Sequence, residues 1–98
     1  MNQHDLRINS REWLDISTDV KEELLQAQYQ FPAWPDDIIH GVAIMAEESG
    51  ETVQAALLHT YEDGALDNVE KEAIQTAAMA IRLVTDIRRR REECEGDK

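Results

Sequence analysis

Apolar residues recur along this chain at helical spacing over three stretches. The first, STDVKEELLQAQYQF, reads as a short helix, with Thr18 or Asp19 as its cap and Glu22 and Glu23 suited to its first turn. FPAWP ends it, because each proline restrains the residue before it. The second helix is predicted from Asp36 or Asp37 to about His59, roughly 36 Å long. Its broad apolar arc holds Ile38, Ile39, Val42, Met45, Ala46, Val53, Ala56 and Leu57. A second, narrower strip runs through Ile44, Glu48, Glu51, Ala55 and Leu58 at the three-four spacing of a packed seam. TYEDGALDN is a turn, in which Gly64 permits a left-handed step and Asp67 or Asn68 caps the next helix. That third helix is predicted from about Val69 to at least Arg90, with an apolar arc rich in alanine that allows close helix approach.

This pattern divides the chain into a polar N-terminal arm over 1–17, a helical domain over 18–91 and a charged tail over 92–98 expected to fray. The fold class is all-α. Four glycines and two prolines in 98 residues favour helix over turn-rich sheet. One domain of this size supports a modest core, and such domains often oligomerise.

Charge narrows the range of partners. The formal net charge is −11, which argues against binding a nucleic-acid polymer. A small phosphorylated ligand carried with a divalent ion stays compatible, because the ion inverts the local field. No apolar run reaches the roughly 20 residues a membrane span needs. The polar, acidic N-terminus has no signal-peptide core, and the lone Cys94 excludes an internal disulfide framework. A cytoplasmic protein is the resulting expectation.

The candidate chemistry lies in EESGE, Glu47 to Glu51, and in Glu72 on the next helix. Glu48 and Glu51 are three apart and share one helix face. Both sit within an apolar strip, where bare carboxylates are costly and a cation removes the cost. Carboxylates one turn apart on rigid helices suit a small hard ion, Mg²⁺ or Mn²⁺. Glu48, Glu51 and Glu72 are the expected ligands, with Glu47 as a water-orienting base or outer ligand. The rival reading is that acids on helices are simply solvated, and the chain has 21 of them.

EESGE, the short acidic turn and then EAIQ together resemble the MazG-like all-α nucleoside triphosphate pyrophosphohydrolases over roughly Trp34 to Val84. That family carries E-E-x-x-E on one helix and E-x-x-D on the next. Glu47, Glu48 and Glu51 match the first motif, and Glu72 matches the opening acid of the second. The resemblance implies a helical bundle completed by oligomerisation, as a homodimer or a tetramer of dimers. It also implies Mg²⁺-dependent cleavage of a nucleotide, including noncanonical or deoxy forms, to a nucleoside monophosphate and pyrophosphate. Glu47, Glu48, Glu51 and Glu72 would be the catalytic acids. The second motif departs from the family at Gln75, which stands where the aspartate is expected. An amide coordinates through its carbonyl oxygen but brings no charge. Gln75 therefore completes a metal set of Glu48, Glu51, Glu72 and Gln75, or else marks a noncatalytic nucleotide- or metal-binding protein. A purely structural helical oligomer is the third alternative.

Further residues have two readings each. Trp34, between two prolines, stacks on a nucleobase or covers the end of the core. His40 contacts phosphate or metal, or serves a surface or capping role. Arg82 is preferred over Lys71 as a phosphate contact, and both are equally able to be solvated partners of acids. Met79 is assigned to packing or pocket lining. Asp86 is paired with Arg82 or Arg90.

Overall fold

A computed structural model describes residues 2–96. These form three helices, α1 (Ser10–Gln30), α2 (Ile38–Tyr61) and α3 (Leu66–Gly96), and no strand among the described residues. The long α3 is the central element. Both α1 and α2 pack on it and not on each other.

Helix α1 begins seven residues before the first helical segment read from the sequence, so residues 10–17 of the expected 1–17 arm are helix. The cause is a capping box. The Asn9 side chain accepts from the Glu12 backbone N–H at 2.8 Å, and the Glu12 carboxylate accepts from the Asn9 N–H at 3.1 Å. Such a cap is worth about 1 kcal/mol. Ser17, Val20, Leu24 and Ala27, spaced three and four apart, are together with Glu23 the less exposed positions of α1. Trp13, Leu14 and Ile16 remain half or more exposed.

The α1–α2 linker, 31–37, is stapled to α3 by two arginines. Arg82 donates to the carbonyls of Phe31 (2.7 Å) and Ala33 (3.4 Å). Arg90 donates to those of Pro35 and Asp36 and pairs with Asp86 at 2.9 Å. Asp37 caps α2 by accepting from the Ile39 N–H at 3.0 Å. Gly41 is the buried residue of α2, and a Cβ there would lie 3.0 Å from Trp34 Nε1. The missing side chain is what lets the indole seat against the helix.

At the α2–α3 turn the left-handed residue is Asp63, with φ 60°, and not Gly64. Gly64 is needed for space: an added Cβ would lie 3.0 Å from the Leu58 backbone, whose carbonyl accepts from the Gly64 N–H at 2.9 Å. Because the turn is so tight, α3 starts at Leu66, which places Asp67 in its first turn and not at the cap. At the far end α3 continues to Gly96, where fraying after 91 was expected. Asp97 and Lys98 lie outside the described residues.

The interior is small. Val20, Ala78 and Leu83 are the buried apolar side chains among the described residues. The accessible surface is 8228 Å², against roughly 5,700 Å² for a compact monomer of 11.2 kDa. The radius of gyration is 16.3 Å, where about 13 Å is usual for this length. Exposed large apolar side chains occur on α1, α2 and α3. On α2, Ile39, Val42, Val53 and Leu57 of the broad apolar arc are exposed, while Ile44, Glu48 and Ala55 of the narrower strip are half-buried. No described helix is long and apolar enough to cross a membrane.

Candidate metal centre and adjoining cleft

Glu48 stands in the middle of α2, and Glu72 on the second turn of α3. Packing of these helices brings oxygens of Glu48, Glu51 and Glu72 within 4.8 Å of one another. Glu48 Oε2 and Glu72 Oε2 are buried and have no hydrogen-bond partner. A buried acceptor without a donor is costly, and three carboxylates this close repel. The arrangement is suited to a divalent cation, which supplies the missing partner to both oxygens at once.

The protonation equilibria reflect the same crowding. The Glu48 carboxyl is raised above its ordinary value, first by burial, then by the charge of Glu51, then by Glu72 and Glu47. Glu72 is raised too, first by burial and then by the nearby carboxylate of Glu51, while the Lys71 ammonium acts in the opposite direction. Each shift favours the neutral acid over an unpaired anion.

Glu47 is exposed and lies outside the trio, which it reaches through its charge on Glu48. Gln75 is half-buried one turn beyond Glu72 and shares a cleft with Glu48. That cleft, about 450 Å³, runs between α1 and α2 with α3 as its floor. Trp34, Phe31, Ile44 and Met79 give it apolar walls, and Glu23, Gln30 and Arg82 add polar groups. Its volume is in the range of small-molecule sites. His40 is exposed on the first turn of α2 and does not line it. Lys71 is exposed in a separate groove among Asp19, Glu22, Glu23, Asp67 and Glu70.

Arg82 has two engagements in the structure. It borders the cleft, and its guanidinium carbon lies over the Trp34 ring, 5.0 Å from the centroid, while the same group holds the linker carbonyls. Trp34 is half-buried against Gly41 and beneath Arg82, with Nε1 buried and unpartnered. Arg82→Ala is expected to release this end of the cleft at a cost of about 2 kcal/mol, typical of hydrogen bonds to a charged donor. In a Trp13→Phe background the Trp34 emission should then shift to the red. An unchanged spectrum and melting curve would show that the linker holds without Arg82.

Two residues that the sequence reading passed over stand one turn from the acids. Thr52 and Thr76 meet across α2 and α3 with their hydroxyls 3.1 Å apart. The signal was available, since Glu48 and Glu72 are each followed four residues later by threonine. Gly41 was also missed, and its role needs the position of Trp34 to be known. Comparison with protein-family models, with curated proteins and with solved structures finds no match.

Proposed function

We propose that this protein is a Mg²⁺-dependent nucleoside triphosphate pyrophosphohydrolase of MazG-like type, with Mn²⁺ able to substitute. The observation that carries the reading is the trio of Glu48, Glu51 and Glu72, with two buried unpartnered oxygens, of which Glu48 also lines a cleft of about 450 Å³. A divalent ion held there supplies positive charge to phosphate oxygens and acidifies water. Glu48, Glu51 and Glu72 hold and orient it, and Gln75 offers a neutral oxygen donor from the same cleft. In this reading Glu47, exposed beside Glu48, is the base that accepts a proton from the attacking water. The walls of Trp34, Phe31, Ile44 and Met79 take the base and sugar. Water adds across the bond between the α- and β-phosphates, giving a nucleoside monophosphate and pyrophosphate.

The working unit in this proposal is a homodimer or a tetramer of dimers. The surface excess and the outward apolar arc of α2 support it, because a second copy would bury both. A noncatalytic binding protein is the second reading, favoured by Gln75, which lowers the charge of the site by one relative to a carboxylate.

The deciding assay is pyrophosphate release from a panel of ribo-, deoxy- and modified triphosphates, with Mg²⁺, with Mn²⁺ and with chelator. Ion-dependent release with matching monophosphate is expected. Stabilisation by nucleotide and ion without turnover would select the noncatalytic reading. No release and no stabilisation by any member would end both.

A further inference from the structure

On α2 and α3 alike, a threonine one turn on from an acid of the trio lies within hydrogen-bond reach of that acid's backbone carbonyl. Thr52 Oγ1 lies 3.1 Å from the Glu48 carbonyl oxygen, and Thr76 Oγ1 lies 2.9 Å from that of Glu72. Back-bonding of this kind is common in helices and by itself says nothing of function. Here both bonds end on residues that carry the carboxylates, and the two hydroxyls also meet at 3.1 Å. This is the one side-chain hydrogen bond between α2 and α3 among the described residues.

Counting protons makes the arrangement more specific. Two hydroxyls bring two protons to three contacts. The cross-helix bond uses one, so one hydroxyl bonds its own carbonyl while the other donates across the interface. Two such arrangements exist, and both keep the helices linked. Threonine is stiff at χ1, so the link has little slack. It acts about 6 Å along each helix from the acids. Ser49, Val53, Ala56 and Ala73 line the groove beside it. Repulsion within the trio pushes α2 and α3 apart, and the hydroxyl bond opposes it.

We infer that Thr52 and Thr76 are positioning residues that act as one unit, setting the separation of Glu48 from Glu72 and through it the affinity of the trio for a divalent cation. The inference rests on the reading of the trio as a metal site. Its test is Mn²⁺ titration, followed by the paramagnetic resonance of free Mn²⁺, of the wild type, T52V, T76V, the double variant, T52S and T76S. Helix content and thermal midpoint are measured alongside in the absence of metal.

Each valine variant should keep its helix content and bind Mn²⁺ about tenfold more weakly, the usual effect of losing a group that orients a metal ligand. The double variant should bind no more weakly than the worse single, because either change breaks the same link. Both serine variants should bind like the wild type. Unchanged affinity in both valine variants, or losses that multiply in the double variant, would overturn the inference while leaving the metal site standing. A wild type that binds no Mn²⁺ would overturn the metal-site reading and this inference with it. If a valine variant fails to fold, the serine variants decide, since weakened binding in folded T52S or T76S contradicts a role for the hydroxyls.

Discussion

Glu48→Gln is expected to lower both Mn²⁺ affinity and pyrophosphate release by at least about a hundredfold, and yet to raise the thermal midpoint of the metal-free protein. A group that merely orients a ligand costs up to about a hundredfold, so loss of a ligand itself should cost no less. The opposite effect on stability follows from crowding. Without a cation, the ionised Glu48 oxygen is buried, unpartnered and within 4.8 Å of carboxylate oxygens of Glu51 and Glu72. An amide removes that charge at nearly constant shape. With the ion present the order should reverse. The wild type gains about 2.7 kcal/mol when the ion is at a hundred times its dissociation constant, and the variant forgoes most of this. Melting curves of both proteins with chelator and with Mg²⁺ should therefore cross. Parallel responses to Mg²⁺ would mean that Glu48 does not hold the ion.

The pH dependence has a defined direction. Glu48 and Glu72 are raised in the folded chain above their ordinary value of 4.5, chiefly by burial. The folded state therefore holds these protons more tightly than the unfolded state does. The contribution is stabilising at low pH, complete below the unfolded value, and is lost as pH rises through the raised folded values. In metal-free protein, Glu48→Gln should flatten this decline, and Glu72→Gln should do the same. Added Mg²⁺ should also flatten it in the wild type by compensating the anions. Urea denaturation across that pH interval measures the slopes, and equal slopes in wild type and variants would contradict the assignment.

Ile39→Glu combined with Leu57→Glu is expected to convert an oligomer to an unstable monomer. These residues are eighteen apart, five full helical turns, so they lie on one line of α2. Ile39 is 77% and Leu57 53% exposed in the single chain. Between them on the same side come Ala46, Gly50 and Val53, and a Cβ added at Gly50 would meet nothing within 4 Å. Two small residues flanked by large apolar ones form a seam on which another helix can lie closely. The wild type should sediment as a dimer or larger, with a midpoint that rises with concentration. The double variant should sediment as a monomer and melt about 10 °C lower or more, since each kcal/mol moves a chain of this size by about 4–8 °C. A monomeric wild type with a concentration-independent melt would show that three buried apolar side chains suffice.

How far the helices and the site were legible differs from place to place. A second helix starting at Asp36 or Asp37 and an Asp86 pairing with Arg82 or Arg90 follow from local spacing; in the structure Asp37 caps α2 and Asp86 pairs with Arg90. The start of α1 was just as local, in Asn9 and Glu12, but Trp13, Leu14 and Ile16 disguised it. They stay half or more exposed, so their pattern did not look like a helix packed on a core. The left-handed residue of the turn is Asp63, because Gly64 was already required for close approach to Leu58. Whether a glycine supplies torsional freedom or empty space cannot be read from its neighbours in sequence.

Local order and period were enough to specify three helices, an all-α class and a pair of acids, Glu48 and Glu51, at ligand spacing with Glu72 on the next helix, because a 3.6-residue repeat and caps act within a few residues of chain. Which face of α2 turns inward was decided by packing on α3, since both its strips carry apolar residues and periodicity alone does not rank them. That choice brings Glu48 and Glu51 to Glu72, leaves two carboxylate oxygens without partners, and joins Thr52 to Thr76. It also commits Arg82 to the linker carbonyls and the Trp34 ring. Each of these is a distance between residues far apart in the chain, set by how helices meet and not by the order of their side chains.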